Sequence, residues 1–220
     1  MGLASQLLST GGQMVSGMWV SIQIFAVTLV FSLPLGLIVA FGRMSKNKII
    51  STIVKFYISV MRGTPLMLQL MVVYYGPYYL FGIKINNSYR LWAAFIGFVI
   101  NYAAYFAEIY RSGIQSMPVG QYEAAKLLGY GKTMTFFRII LPQVVKRILP
   151  SVTNEVITLV KDTSLAFTIS VLEMFTIAKS LASSQVSLVP FVAAGLFYYL
   201  FNLIVAGIME YAEKKLSYYQ

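Results

Sequence analysis

Apolar residues in this chain fall into long runs separated by short polar, basic stretches. Five runs are long enough to cross a hydrocarbon core that needs about 20 apolar residues. They lie at about 18–42, 49–82, 90–111, 151–174 and 186–211. Pro34 is expected to kink the first. The second is too long for a simple span and is interrupted by RGTP at 62–65. Thr64 followed by Pro65 reads as an N-cap with proline at the first helical position, so a broken helix is expected there.

Between the third and fourth runs, residues 112–150 form a structured loop. Pro118 opens a helix over about 119–128, and Gly129 suits a left-handed stop. Thr133 is expected to cap a second short helix to about Leu141, with Pro142 and Pro150 as further breaks. Phe136, Phe137, Ile139 and Ile140 would give it an apolar face that nothing in the chain obviously covers. This face fits either an amphipathic helix lying on lipid or a docking surface for a partner.

Composition agrees with a membrane protein. Of the 220 residues 58% are hydrophobic and 11% charged, against nearer a half and a quarter in soluble domains. No separate soluble domain is expected within these 220 residues. With no cysteine or histidine, disulfides, thiolate nucleophiles, imidazole bases and the usual zinc or haem sites are excluded. The net charge of +10 is spread over loops, which points to topology and not to nucleic acid. Arg43, Lys46, Lys48 and Lys55, then Arg111, Lys126, Lys132, Arg138, Lys146 and Arg147, then Lys214 and Lys215 share one side. The other side has Lys84, Arg90 and Lys179. Positive charge stays inside, so the N-terminus is expected outside, the C-terminus inside, and the 112–150 loop in the cytoplasm. The first residues lack a basic stretch, so no cleaved signal peptide is expected.

Three ionisable residues interrupt the fourth run, TNEVITLVKDTSLAF at 153–167. Ionisable groups in a span usually face a bundle interior or a wet cavity. Glu155 and Asp162 are two turns apart on one face, with Thr158 between; Lys161 lies roughly 100° round. In the third run Asn101, Tyr105 and Glu108 share a face, and Glu108 and Arg111 are placed to pair structurally. Glu155 and Asp162 fit two readings: ion pairs with Arg62 or Lys161, or a site for a ligand with two positive centres. In the second, Glu155, Asp162, Thr158, Asn101 and Tyr105 are expected around the ligand, and the helix restarting at Thr64–Pro65 offers free N–H groups to its carboxylate, with Arg62 adjacent. A basic amino acid (lysine, arginine or histidine) suits this face best, and a neutral polar one such as glutamine second.

Glu123-Ala124-Ala125, Gly129 and Ile139-x-Leu141-Pro142 match the EAA loop of bacterial ABC importer permeases at the family spacing. MRGTPLMLQL at 61–70, YFAEIYRSGIQSMPVGQ at 105–121 and KDTSLA at 161–166 resemble the polar amino acid branch. The resemblance implies an all-α membrane protein, one transmembrane domain over 1–220, multi-pass in the bacterial cell membrane. It implies short coupling helices, with Glu123, Ala124, Ala125 and Gly129 contacting an ATP-binding cassette subunit. It also implies an extracytoplasmic amino-acid-binding protein as partner. GYGKT at 129–133 lacks the Walker spacing, so ATP and magnesium belong to the partner and the chain itself carries no cofactor. Five spans are few for a pathway, so a second copy or a homologous permease is expected around a two-fold axis. A channel or ion-coupled carrier has no need of the EAA loop. An intramembrane enzyme is poorly served by carboxylates about 10.5 Å apart along a helix.

Overall fold

The computed structural model describes residues 3–216, with side chains from residue 10 onward. Among them every regular element is helical. The helices are α1 (Leu3–Arg43), α2 (Lys48–Gly63), α3 (Leu66–Phe81), α4 (Tyr89–Gln115), α5 (Val119–Leu127), α6 (Lys132–Thr135), α7 (Leu141–Asp162), α8 (Met174–Gln185) and α9 (Val189–Leu216). A π-helical turn, Phe136–Ile140, joins α6 to α7, and a 3₁₀ segment, Thr163–Ile169, follows α7.

Three helices are individually long and apolar enough to cross a membrane: Thr10–Arg43, Tyr89–Gln115 and Val189–Leu216. Two bent pairs raise the number to five if each counts as one span. The α2–α3 pair turns through 111°, and Lys132–Ile169 turns 60° into α8.

In α1 the interior stripe is small and polar while the exterior is apolar. Thr10, Met14, Gly17, Ser21, Ile24, Thr28, Ser32, Gly36 and Ala40 are buried at helical spacing, whereas Trp19, Val30, Phe31 and Ile38 are exposed. Lipid-soluble bundles pack this way, because small residues let backbones approach and tails solvate the rest. A Cβ on Gly36 would sit 2.9 Å from the Phe106 Cβ and 3.1 Å from the Ala103 carbonyl of α4. Pro34 lies inside α1, which runs through it without interruption.

The main core joins Ile24 of α1, Leu70 and Tyr74 of α3, Phe98, Tyr102 and Phe106 of α4, and Leu159 and Val160 of α7. A satellite cluster of Met117, Ile140, Val144 and Ile148 closes the loop end of α4 against α7.

Four expectations are corrected. Thr64 does not N-cap α3: it follows α2 in extended conformation, and Pro65 holds the cap position without a side-chain bond. Pro142 and Pro150 do not break the chain. Pro142 directly follows the π-helical turn, through which the helix runs on into α7, and Pro150 lies inside α7. The fourth run is not one α-helix to 174: it tightens at Thr163 and stops at Ser170, which is left-handed (φ 57°). Residues 175–185, the stretch between the fourth and fifth apolar runs, lie entirely in α8. Helix α5 and the left-handed Gly129 (φ 80°) follow the expected pattern.

Candidate functional site

Breaking a helix orphans the carbonyls of its last turn. At the α2–α3 break two amide side chains take them. Gln69 Nε2 donates to Met61 O (2.9 Å), Thr64 O (3.1 Å) and Thr64 Oγ1 (2.8 Å). Asn101 Nδ2, reaching from α4, donates to Met61 O (3.1 Å) and to Gln69 Oε1 (2.9 Å). Thr64 Oγ1 donates back to Val60 O at 2.8 Å. The sequence signal for Gln69 was present but unread: one amide in an otherwise apolar run, five residues after Thr64.

This stapled break forms one wall of a cavity of about 270 Å³. Thr64, Pro65 and Leu66 line it from the break, and Asn101, Tyr102 and Tyr105 from α4. Glu155, Thr158 and Asp162 line it from α7, and Leu165 from the 3₁₀ segment. Six of the seven residues expected around a ligand therefore meet at one cavity. The seventh, Arg62, does not line it; its guanidinium lies over the Tyr105 ring, 5.3 Å from the centroid.

Two wall residues have their hydrogens committed to the fold. The Asn101 amide is spent on the break, and Thr158 Oγ1 donates to Asn154 O at 2.9 Å. Asp162 is oriented by Tyr102, whose Oη donates to Oδ2 at 2.8 Å. Tyr102 was missed because a tyrosine in an aromatic- and alanine-rich span reads as core; it is 2% exposed.

The ion pairs considered for Glu155 and Asp162 are not formed. Among the described residues the salt bridges are Arg111–Glu108 and Lys214–Glu210. Lys161 is exposed and off the cavity. The Glu108–Arg111 pair is as expected, with Arg111 Nε donating to Glu108 Oε1 at 2.9 Å.

Residues 119–140 lie at the other end of α7. Glu155 is about 21 Å along the axis from Leu141. Glu123, Ala124 and Gly129 are exposed, but Ala125 is 2% exposed and packs inward. Its carbonyl accepts the Tyr130 N–H at 3.0 Å. The apolar face of the second loop helix is also mostly covered: Ile140 is buried with Met117, Val144 and Ile148, and Phe136 and Ile139 pack beside them. Phe137 remains exposed, joined by Val119, Leu127 and Leu128.

Sequence and fold comparisons bear on what such an arrangement does. The pattern of the family described as "binding-protein-dependent transport system inner membrane component" matches residues 32–218. The chain belongs to that family. The octopine transport system permease protein OccM of Rhizobium radiobacter is 40% identical over 196 residues, 84% of this chain and 79% of that protein. The arginine transport system permease protein ArtQ of Bacillus subtilis is 38% identical over 204 residues, 91% of each. A crystal structure described as an amino acid ABC transporter with histidines superposes with a TM-score of 0.87 at 30% identity, covering 98% of this chain and 99% of that one.

This ABC importer permease is thus of the polar amino acid family. It is a multi-pass membrane protein and a transport subunit, and ATP hydrolysis is done by a separate ATP-binding subunit. Its general partners are that subunit and a substrate-binding protein.

Proposed function

We propose that the permease passes a basic amino acid, arginine or lysine, through the cavity between the α2–α3 break and α7. The supporting observation is that Glu155 and Asp162 share one cavity wall with no ion-pair partner among the described residues. Two carboxylates suit a ligand with two positive centres: one accepts the α-ammonium, the other the side-chain cation. The ligand carboxylate goes to the first turn of α3. Pro65 has no N–H, and the N–H groups of Leu66 and Met67 precede the first bond of that helix, Leu68 N–H to Pro65 O. They point a positive dipole end at the cavity, as broken helices do in other transporters. The name of the Bacillus subtilis relative, an arginine permease, agrees with this choice. A putative glutamine permease of Rickettsia bellii, 32% identical over 203 residues, keeps glutamine as the second.

In this reading each bent pair is one span, giving five, with the N-terminus outside and the C-terminus and the 119–140 loop in the cytoplasm. Helix α5, with Glu123, Ala124 and the Gly129 stop, docks on the ATP-binding subunit. Because α7 runs from the π-helical turn to Asp162, a push on the loop reaches the cavity wall through one stiff element. The cavity is completed by a second copy or a homologous permease across a two-fold axis.

The test is ATPase stimulation of the reconstituted complex by a panel of amino acids supplied with the binding protein. Arginine or lysine should stimulate more than glutamine. Stimulation by glutamine alone, or equally by acidic amino acids, would remove the case for a cation site.

A further inference from the structure

Arg62 touches a cavity residue, Tyr105, yet it forms a salt bridge with neither Glu155 nor Glu108, although its charge acts on both. It sits in the last turn of α2, where the helix C-terminus favours a positive charge. Its guanidinium is laid on the Tyr105 ring, whose residue lines the cavity beside Glu155. A guanidinium held by a helix end and a ring face, with no carboxylate fork, is loosely held. It is also chemically the same group as an arginine side chain.

We infer that Arg62, which lies off the cavity lining but over the Tyr105 ring, is a tethered competitor for that ring: in the empty permease it makes the cation–π contact that the ligand's side-chain cation takes when it binds. This rests on the basic-amino-acid reading above and goes beyond it by assigning two roles. Tyr105 is the cation platform, and Arg62 is a specificity-determining residue that the ligand must displace. A lone carboxylate or a ring face attracts many cations. A resident guanidinium means that only a ligand able to replace both its charge and its stacking gains from entering. Once displaced, Arg62 remains within the field of Glu108, so it leaves the ring without losing every neighbouring negative charge. This role is opposite in sign to a ligand for the substrate carboxylate: removing a competitor strengthens binding, removing a ligand weakens it.

The experiment is equilibrium titration of L-arginine, L-lysine and L-glutamine into the permease assembled with its ATP-binding subunits in lipid nanodiscs, without the binding protein. Arg62→Gln should tighten L-arginine and L-lysine about three- to tenfold, the range expected for losing a cation–π rival, and leave L-glutamine unchanged. Tyr105→Leu should weaken L-arginine, and Arg62→Gln should then add nothing; Tyr105→Phe should behave as the parent. Should Arg62→Gln not assemble, Arg62→Lys, which keeps the charge and loses the planar fork, should tighten L-arginine less but in the same direction. Weaker L-arginine binding in Arg62→Gln, or the same tightening in the Tyr105→Leu background, overturns the inference and leaves the cation site standing. Binding of L-glutamine but of neither cation by the parent complex overturns both.

Discussion

Tyr102 and Asp162 meet across 2.8 Å at the point where α7 tightens from α-helix to 3₁₀. The bond ties the middle of α4 to the end of α7 and fixes one carboxylate oxygen, leaving the other for the cavity. Tyr102→Phe keeps the buried ring, which packs with Phe98 and Phe106 in the main core, and removes only the donor. A hydrogen bond to a charged group contributes about 1.5–3 kcal/mol. The variant should therefore assemble with its ATP-binding subunit yet show reduced arginine uptake in proteoliposomes. Unchanged uptake would show that the orientation of Asp162 is immaterial.

Glu155 has no such partner among the hydrogen bonds and salt bridges of the described residues. Glu155→Gln is nearly isosteric and removes one negative charge. Uptake of arginine and lysine should fall at least about tenfold, the effect of about 1.4 kcal/mol, while glutamine uptake falls less. An equal loss for all three, measured as the ratio of initial rates, would mark Glu155 as a structural group.

The face shared by Glu155, Thr158 and Asp162 was legible because the helical period alone fixes it, and the break at Thr64–Pro65 was legible from its proline. What the sequence did not carry is which neighbour covers which face. Ile140 reads as uncovered until Met117 and Ile148 are seen against it. Ala125, which the resemblance places at a contact, is 2% exposed, a burial its sequence neighbours do not foretell. Proline misled in the opposite direction: Pro150 stays inside α7, as membrane helices allow when neighbours re-satisfy the freed carbonyl. Glu173 went unread inside an apolar run, although it is fully buried and caps α8 by accepting the N–H groups of Phe175 (2.6 Å) and Thr176 (2.7 Å).

Asn101 separates architecture from specificity. Its amide holds Met61 O and Gln69 Oε1, so Asn101→Ala should loosen the α2–α3 break and leave Met61 O with one donor fewer. Uptake should then fall by similar factors for arginine, lysine and glutamine, unlike the selective loss in Glu155→Gln. A selective loss in Asn101→Ala would instead place its amide on the ligand.

Glu123 is exposed on α5, at the end of the bundle remote from the cavity. Glu123→Arg reverses a charge on the surface assigned to docking and disturbs no hydrogen bond or salt bridge recorded for the described side chains. Membrane insertion and thermal stability should match the parent, while uptake and substrate-stimulated ATPase both fall. Normal uptake by this variant would remove the docking role.

Gly113 fixes how closely α4 and α7 approach at that same end. A Cβ there would lie 2.2 Å from Ile148 Cγ2 and 3.2 Å from Val144 Cγ1. The Ile148 methyl branches directly from its own Cβ and cannot swing clear, so Gly113→Ala must push the helices apart, at a cost of about 1–3 kcal/mol. The apparent melting temperature of the purified complex should drop. Ile148→Ala deletes the opposing methyl, so the double variant Gly113→Ala/Ile148→Ala should lose less than the two single losses added together. Because the clash lies between the loop and the cavity, Gly113→Ala should also weaken the coupling of ATP turnover to uptake, and the double variant should restore part of it. Strict additivity in melting temperature would show that the helices already have room at this crossing and that the close approach of α4 to α7 is not what Gly113 provides.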